Sequence, residues 1–179
     1  GTQLAGQDRL TNVGWVSDGR FNDTINLSQL TLNHLGYITD PMSGSSYNTV
    51  LVGYGGSDTI IGNGQTTVLL SAVSASLDGK GASVDLTQSS ANLSNLTGAN
   101  AAMGTLTFSG VRGVYGTMFN DTLIGGADDS FEGFRGDEGD DFIDGRTGWD
   151  RADYRNATSG INVNMAGGTV VSTSAGNDT

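Results

Sequence analysis

The chain has 179 residues, of which 36% are apolar and 15% charged, and it contains 29 glycines, one proline and no cysteine. Nineteen acidic residues against eight basic ones give a net charge of −11, which argues against nucleic acid and anionic membranes as partners, because both are bound through lysine and arginine. Poor helix formers dominate, so the composition excludes a helical bundle and favours short strands joined by tight turns, and no apolar stretch reaches the ~20 residues of a membrane span.

Residues 1–115 are predicted to form irregular strands that carry weak internal repeats. The segment 10–25, LTNVGWVSDGRFNDTI, aligns without gaps with the segment 108–123, FSGVRGVYGTMFNDTL. A shorter repeat links GGSDTIIG at 55–62 to MFNDTLIG at 118–125. Between these motifs apolar residues alternate as they do in strands. Unequal spacing between copies favours an elongated solenoid, because each coil of a solenoid contacts only its neighbours.

Residues 116–154 carry the densest repeat, in the blocks GTMFNDTLI, GGADDSFEGFR, GDEGDDFID and GRTGWDRAD. The last two blocks are nine-residue units with glycine at positions 1 and 4, aspartate at position 6 and an apolar residue at position 8. Glycine and aspartate favour turns, and the last three positions suit a short strand. A further strand is predicted over 155–179, where AGND at 175–178 echoes AGQD at 5–8. The chain is therefore predicted to be one elongated module.

The repeat spacing predicts rows of carboxylates. Two units make one coil of about 18 residues, and strands in neighbouring coils lie roughly 4.8 Å apart. Asp121 is then expected to face Asp141 on one edge, and Asp129 to face Asp150 on the other. Two carboxylates ~5 Å apart repel by about 3 kcal/mol at an effective dielectric constant near 20. A hard divalent cation would reverse that repulsion, whereas soft metals are disfavoured by the lack of cysteine and the single histidine.

The nine-residue units resemble the G-G-x-G-x-D-x-U-x nonapeptides of the RTX, or haemolysin-type, calcium-binding proteins. The resemblance is dense over 116–166 and weaker over 4–27 and 53–64. It implies an all-β fold, a right-handed parallel β-helix or β-roll that winds when Ca2+ binds, in a protein that is secreted or displayed on the cell surface. The implied side-chain ligands are Asp121, Asp129, Asp141 and Asp150, and the implied carbonyl ligands are Gly136, Gly139, Gly145 and Gly148.

The chain departs from the family pattern at several positions. Asp137 and Arg146 stand where the second glycine is usual, Phe134 and Arg135 are additional, and one residue is missing near Asp128. These departures weaken the expected Asp129–Asp150 site more than the Asp121–Asp141 site. Asp23 and Asp58, in the isolated FND and GSD motifs, are further candidate ligands, although an Asx turn is the alternative explanation for each.

The sequence contains no recognisable catalytic constellation, so the chain itself is not expected to be an enzyme. The expected function is that of a calcium-binding structural module in an adhesin, a surface layer or an extracellular filament. The echo between the two ends of the chain suggests end-to-end self-association. The alternative is a calcium-dependent accessory module of a secreted enzyme that acts on polysaccharide. A solvated acidic face remains the plain alternative for the aspartate-rich run.

Overall fold

The computed structural model describes residues 15–30, 38–39 and 46–179. The described residues form strands and turns with no helix, which confirms the all-β prediction. They accordingly contain no helix that is long and apolar enough to cross a membrane.

Seventeen strands are present in the described part of the chain. They are β1 (Trp15–Ser17), β2 (Thr24–Asn26), β3 (Ile38–Thr39), β4 (Ser46–Leu51), β5 (Gly56–Leu69), β6 (Val73–Ser76), β7 (Lys80–Asp85), β8 (Ser90–Asn92), β9 (Leu96–Gly98), β10 (Met103–Tyr115), β11 (Asn120–Ile124), β12 (Gly133–Arg135), β13 (Phe142–Asp144), β14 (Arg151–Ala152), β15 (Ile161–Asn164), β16 (Thr169–Ser172) and β17 (Gly176–Asp178).

The largest sheet is a parallel array in the order β1-β4-β5-β10-β12-β14. The long strands β5 and β10 pair along most of their lengths, with irregularities in register between their two halves. Gly113 of β10 lies opposite Gly133 of β12, which in turn lies opposite Arg151 of β14. Neighbouring strands at this end are thus 20 and then 18 residues apart in sequence, close to two nine-residue units.

A second parallel sheet contains β7, β11 and β13, and Leu123 of β11 lies between Val84 and Ile143 in register. The C-terminal segment adds to this sheet. The Thr179 amide donates to the Asp141 carbonyl, and the Ile143 amide donates to the Thr179 carbonyl. The segment 155–179, for which one strand was predicted, instead contains the antiparallel strands β15, β16 and β17, and the last of these returns to the edge of the sheet beside β13.

A single apolar core joins the two sheets. It includes Val68, Val114 and Phe134 from the large sheet and Val84 and Leu123 from the second one. Each of these side chains is at most 2% exposed, and burying one stabilises the fold by roughly 1.5–3 kcal/mol. The central apolar residues of β11 and β12 therefore point into the core, and Ile143 of β13 packs against it, whereas Ala152 of β14 is exposed. The turns between strands are brought together at the edges of the sheets.

Candidate functional site

Three aspartates on successive turns form a continuous row, here called the first carboxylate stack: Asp121, Asp141 and Asp178. Asp121 directly precedes the core-facing part of β11, and Asp141 directly precedes β13. Asp141 Oδ1 accepts the Asp121 amide at 2.8 Å, and Asp178 Oδ1 accepts the Asp141 amide at 3.0 Å. The structure therefore brings Asp121 and Asp141 together, and adds Asp178, a residue that the sequence analysis did not assign to the site.

The residue before each aspartate makes a hydrogen bond in the opposite direction, from its side chain in the earlier turn to an amide of the later turn. Asn120 Oδ1 accepts the Asp140 amide at 3.1 Å, and Asp140 Oδ1 accepts the Asn177 amide at 2.8 Å. Each turn is thus joined to the next by two reciprocal side-chain-to-amide hydrogen bonds. Asn177 and Asp178 thus occupy, in the third turn, the positions that Asn120 and Asp121 occupy in the first. The echo predicted between 175–178 and 5–8 involves residues outside the described part of the chain.

Glycine at position 1 of a unit makes room for the aspartate at position 6. The Asp141 carboxylate folds back over Gly136, and a Cβ built on Gly136 would overlap Asp141 Oδ2. Gly116 has the same relation to Asp121 Oδ2. At Gly145 an added Cβ would lie 2.6 Å from Asp150 Oδ2. The pairing of a glycine with the aspartate five residues later is therefore a packing requirement of the turn.

The three carboxylates of the first stack differ in how far their oxygens are satisfied. Asp121 is satisfied, because its Oδ2 accepts the Thr117 amide at 2.7 Å and its Oδ1 accepts the Ala82 amide at 2.6 Å. Asp141 is only 2% exposed, yet its Oδ2 is buried without a hydrogen-bond partner. Asp178 is 3% exposed, and a side-chain hydrogen bond from the Tyr154 hydroxyl partly offsets the rise in its pKa that burial causes. An unpartnered buried carboxylate oxygen costs free energy unless a proton or a cation compensates it.

The electrostatics of the stack favour neutralisation. Burial raises the pKa of Asp141 to about 8, and the neighbouring charges of Asp121 and Asp178 add to that rise. Burial also raises the pKa of Asp121 to about 6, and it raises the pKa of Asp178. The Tyr154 phenol lies beside Asp178, and its burial together with that carboxylate raises the Tyr154 pKa. At neutral pH the stack consequently holds protons, or it requires a positive ion.

On the opposite edge, Asp150 is paired differently from the sequence expectation. Asp150 Oδ1 accepts the Glu132 amide at 3.0 Å, whereas Asp129 is exposed in the longer turn between β11 and β12. The extra residues of that turn move Asp129 away from the position equivalent to Asp150 and place Glu132 there. The sequence analysis missed Glu132. The spacing could have identified it, because Glu132 stands two residues before the buried Phe134, as Asp121 stands two before Leu123.

This second edge already contains a cation, the guanidinium of Arg112. Glu132 is completely buried, and its Oε1 lies 3.2 Å from Arg112 Nη1, while its Oε2 accepts the Gly126 amide at 3.0 Å. Arg112 also binds Asp128 with both guanidinium nitrogens, at 2.9 and 2.8 Å. That interaction holds the pKa of Asp128 well below its usual range. The buried Glu132 thereby has a counter-ion from within the chain.

The two isolated motifs near the N-terminal end also meet in space. Asp58 Oδ1 accepts the Asp23 amide at 3.0 Å, and Asn22 Oδ1 accepts the Ser57 amide at 2.9 Å. This is the same reciprocal arrangement as in the first stack. Asp58 is buried and burial raises its pKa, whereas Asp23 Oδ2 accepts the Gly19 amide within its own turn. Asp23 and Asp58 thus form a second, smaller pair.

The four glycines predicted as carbonyl ligands lie in the turns that flank β13. Gly139 and Gly148 have φ of +116° and +115°, a backbone conformation that favours glycine. Gly136 and Gly145 lie against carboxylates, as described above. The same turns show why glycine is usual at the second position of the nonapeptide pattern. Asp137 and Arg146 stand at that position with φ of +73° and +59°, a left-handed conformation that glycine adopts more easily than other residues.

The carboxylate oxygens of the first stack are too few to bind a hard cation by themselves, so backbone oxygens or water would be needed as further ligands. No three His, Cys, Asp or Glu side chains within residues 15–30, 38–39 and 46–179 converge as a metal-ligand group. Asp141 Oδ2 and Asp178 Oδ2 supply two anionic oxygens, so backbone carbonyls or water would have to complete the six to eight ligands of calcium. The Gly139 carbonyl, which packs against Gly176 of the next turn, lies at the same edge.

Comparison with known proteins identifies no relative. No family model matches the chain, and neither the curated proteins nor the solved structures include a match.

Proposed function

We propose that the chain is a calcium-binding structural module of a secreted or cell-surface protein, and that Ca2+ stabilises its fold. The observation that carries the proposal is a buried carboxylate oxygen without a hydrogen-bond partner, Asp141 Oδ2, within a row of three aspartates. The resemblance of 116–166 to RTX nonapeptides supports the same conclusion from the sequence.

The proposed architecture is a β-roll solenoid. Its support is the parallel register of both sheets, in which Gly113, Gly133 and Arg151 are neighbours in one sheet, and Leu123 and Ile143 in the other. Offsets of 20 and 18 residues correspond to one coil each. In a solenoid every turn meets the equivalent turn of the next coil, so carboxylates at one repeat position inevitably form a row.

Asp141 and Asp178 would hold the ion, with backbone carbonyls of the adjacent turns as further ligands. A bound calcium ion supplies positive charge between like-charged turns. The residues of the chain do the rest: Asp121 and Asn120 hold the turn in register through backbone amides, and Gly136 leaves space for the Asp141 carboxylate. With no cysteine in the chain, this link between turns takes the place of a disulfide, and it suits the calcium-rich exterior of cells.

Replacing Asp141 by asparagine tests this proposal. With calcium the wild-type protein should melt at a higher temperature than with EGTA, and Asp141→Asn should abolish most of that difference. In EGTA, however, Asp141→Asn should be more stable than the wild type, because it removes a buried, uncompensated carboxylate. Thermal melting of both proteins, followed by circular dichroism with calcium and with EGTA, shows whether the order of their melting temperatures reverses.

The matched control is Asp129→Asn, which changes the net charge equally but at an exposed aspartate outside the first stack. It should leave the calcium response of the wild type unchanged. If wild-type melting does not respond to calcium, or if Asp129→Asn alters the response as much as Asp141→Asn does, the first carboxylate stack is not a calcium site. The reciprocal bonds to backbone amides would then be its whole role.

A further inference from the structure

Strand β15 is an open edge of the C-terminal three-stranded sheet, which contains β15, β16 and β17. All four of its residues, 161–164, are exposed, and Ile161 and Val163 are 42% and 45% exposed. Within the described part of the chain, β15 pairs only with β16. Exposed, apolar edge strands are the usual sites at which another strand is added to a sheet.

The register shows which backbone groups β15 offers. The amides of Asn177 and Thr179 point toward the turn before β13, so Asp178, between them, faces β16 and its partner Val170. Backbone groups alternate in direction along a strand. Val171 therefore faces β15 and its partner Asn162, and the N–H and C=O groups of Ile161 and Val163 point outward from the open edge.

Charge distinguishes this edge from the rest of the molecule. The chain has a net charge of −11, but residues 156–177 contain no charged side chain. Two copies of an acidic protein repel each other over most of their surfaces. The uncharged hairpin of β15 and β16 is a surface on which copies can approach without that repulsion, and no lysine or proline protects its edge.

We propose that β15 pairs antiparallel with β15 of a second copy of this chain. A two-fold axis at Val163 makes the segment complementary to itself: Val163 faces Val163, Ile161 faces Met165, and Asn162 faces Asn164. Ile161 and Val163 are exposed apolar residues on one side of the strand, and Met165, 88% exposed, is the first residue of the turn that follows it. The three-stranded sheet of β15, β16 and β17 then continues through the dimer, and the unpaired backbone groups of Val163 find partners.

The contact is small. A few residues of strand pairing lie below the roughly 1,200 Å² of a standard stable interface, so the dimer exchanges with monomer and depends on protein concentration. The pairing uses the hairpin and needs no bound ion, so it goes beyond the calcium proposal and can succeed or fail separately from it.

A single-cysteine cross-link tests the register. The chain has no cysteine, so Val163→Cys places the only thiol on the proposed two-fold axis. Opposite residues in antiparallel strands have Cα atoms about 4.5–5.5 Å apart, within the range of a disulfide. Val163→Cys should form a disulfide-linked dimer under mild oxidation. Val171→Cys, at an equally exposed valine (50%) on the inner strand β16, should cross-link at least tenfold more slowly.

Sedimentation velocity tests the association without a covalent bond. The wild type should sediment as a concentration-dependent monomer–dimer mixture, Val163→Lys as a monomer, and Val171→Lys like the wild type, with folding verified by circular dichroism. The result should be the same with calcium and with EGTA wherever the protein is folded. A wild type that stays monomeric, equal cross-linking of the two cysteine variants, or equal loss of dimer in the two lysine variants would overturn the proposed pairing.

Discussion

At the scale of single residues, each repeat depends on two positions that fit together, the glycine at position 1 and the aspartate at position 6. The carboxylate at position 6 reaches back over the backbone at position 1 and forward to an amide of the neighbouring turn. Gly136 and Asp141 show both relations, since a side chain at Gly136 would occupy the space of Asp141 Oδ2. Glycine is required at this position because the turn is already filled, whatever ion it binds.

Gly136→Ala should therefore destabilise the protein by about 1–3 kcal/mol, the usual cost of overpacking a buried site. The matched control is Gly160→Ala, because a Cβ at Gly160 meets nothing within 4 Å and its φ is not in the left-handed region. That variant should stay within about 0.5 kcal/mol of the wild type. Urea unfolding followed by circular dichroism measures both. Equal effects would show that the Asp141 carboxylate does not occupy the space over Gly136.

At the scale of elements, the two edges of the molecule are neutralised in different ways. In the first carboxylate stack Asp141 keeps a buried oxygen without a partner, whereas Arg112 compensates Glu132 on the second edge. The guanidinium comes from β10, the strand next to β12, and it binds Asp128 and Glu132 of the turn between β11 and β12. Any calcium requirement should therefore concentrate at the first stack.

Arg112→Met should cost about 3 kcal/mol of stability, because it leaves Glu132 buried without its counter-ion. The control is Arg146→Met, since Arg146 pairs with Asp85 at 3.2 Å near the surface, where such a pair contributes at most about 1 kcal/mol. Adding Glu132→Gln to Arg112→Met should restore much of the loss. Denaturant unfolding of the wild type, Arg112→Met, Glu132→Gln and the double variant gives the coupling energy. A double variant no more stable than Arg112→Met would contradict the role of Arg112 as counter-ion.

The nine-residue period allowed the strands of 116–154 and the contact of Asp121 with Asp141 to be anticipated, because period and strand spacing together determine which turns meet. Glu132 was missed because the extra residues in its turn shift the repeat by an amount that counting cannot supply. Asp178 was missed for a different reason: β15 and β16 separate it from its neighbours in the stack. The position of Asp178 beside Asp141 depends on how the C-terminal strands pack against the rest of the molecule, and such packing produces no repeat in the sequence.

At the scale of the whole molecule, its acidity acts on stability through a few buried groups. Burial raises the pKa of Asp141 to about 8 and those of Asp18 and Asp121 to about 6, from an ordinary value of 3.8. Each of these carboxyls holds its proton more tightly in the folded state than in the unfolded chain. Between the two pKa values the folded state binds more protons, so its free energy of unfolding falls as the pH rises.

Without calcium, the free energy of unfolding should therefore decrease steadily from about pH 4 to about pH 8, and Asp141→Asn should flatten the upper part of that decrease, above about pH 6. Asp128 and Asp153, whose pKa values are lowered beside arginines, act in the opposite direction, but only below about pH 4. Saturating calcium should weaken or reverse the slope, because the ion binds the deprotonated carboxylates and competes with protons for them. Urea unfolding across this pH range, in EGTA and in calcium, measures both slopes. If the free energy of unfolding of the wild type in EGTA does not change above about pH 6, the pKa of Asp141 is not raised. If the pH dependence is identical in EGTA and in calcium, the first carboxylate stack does not bind calcium.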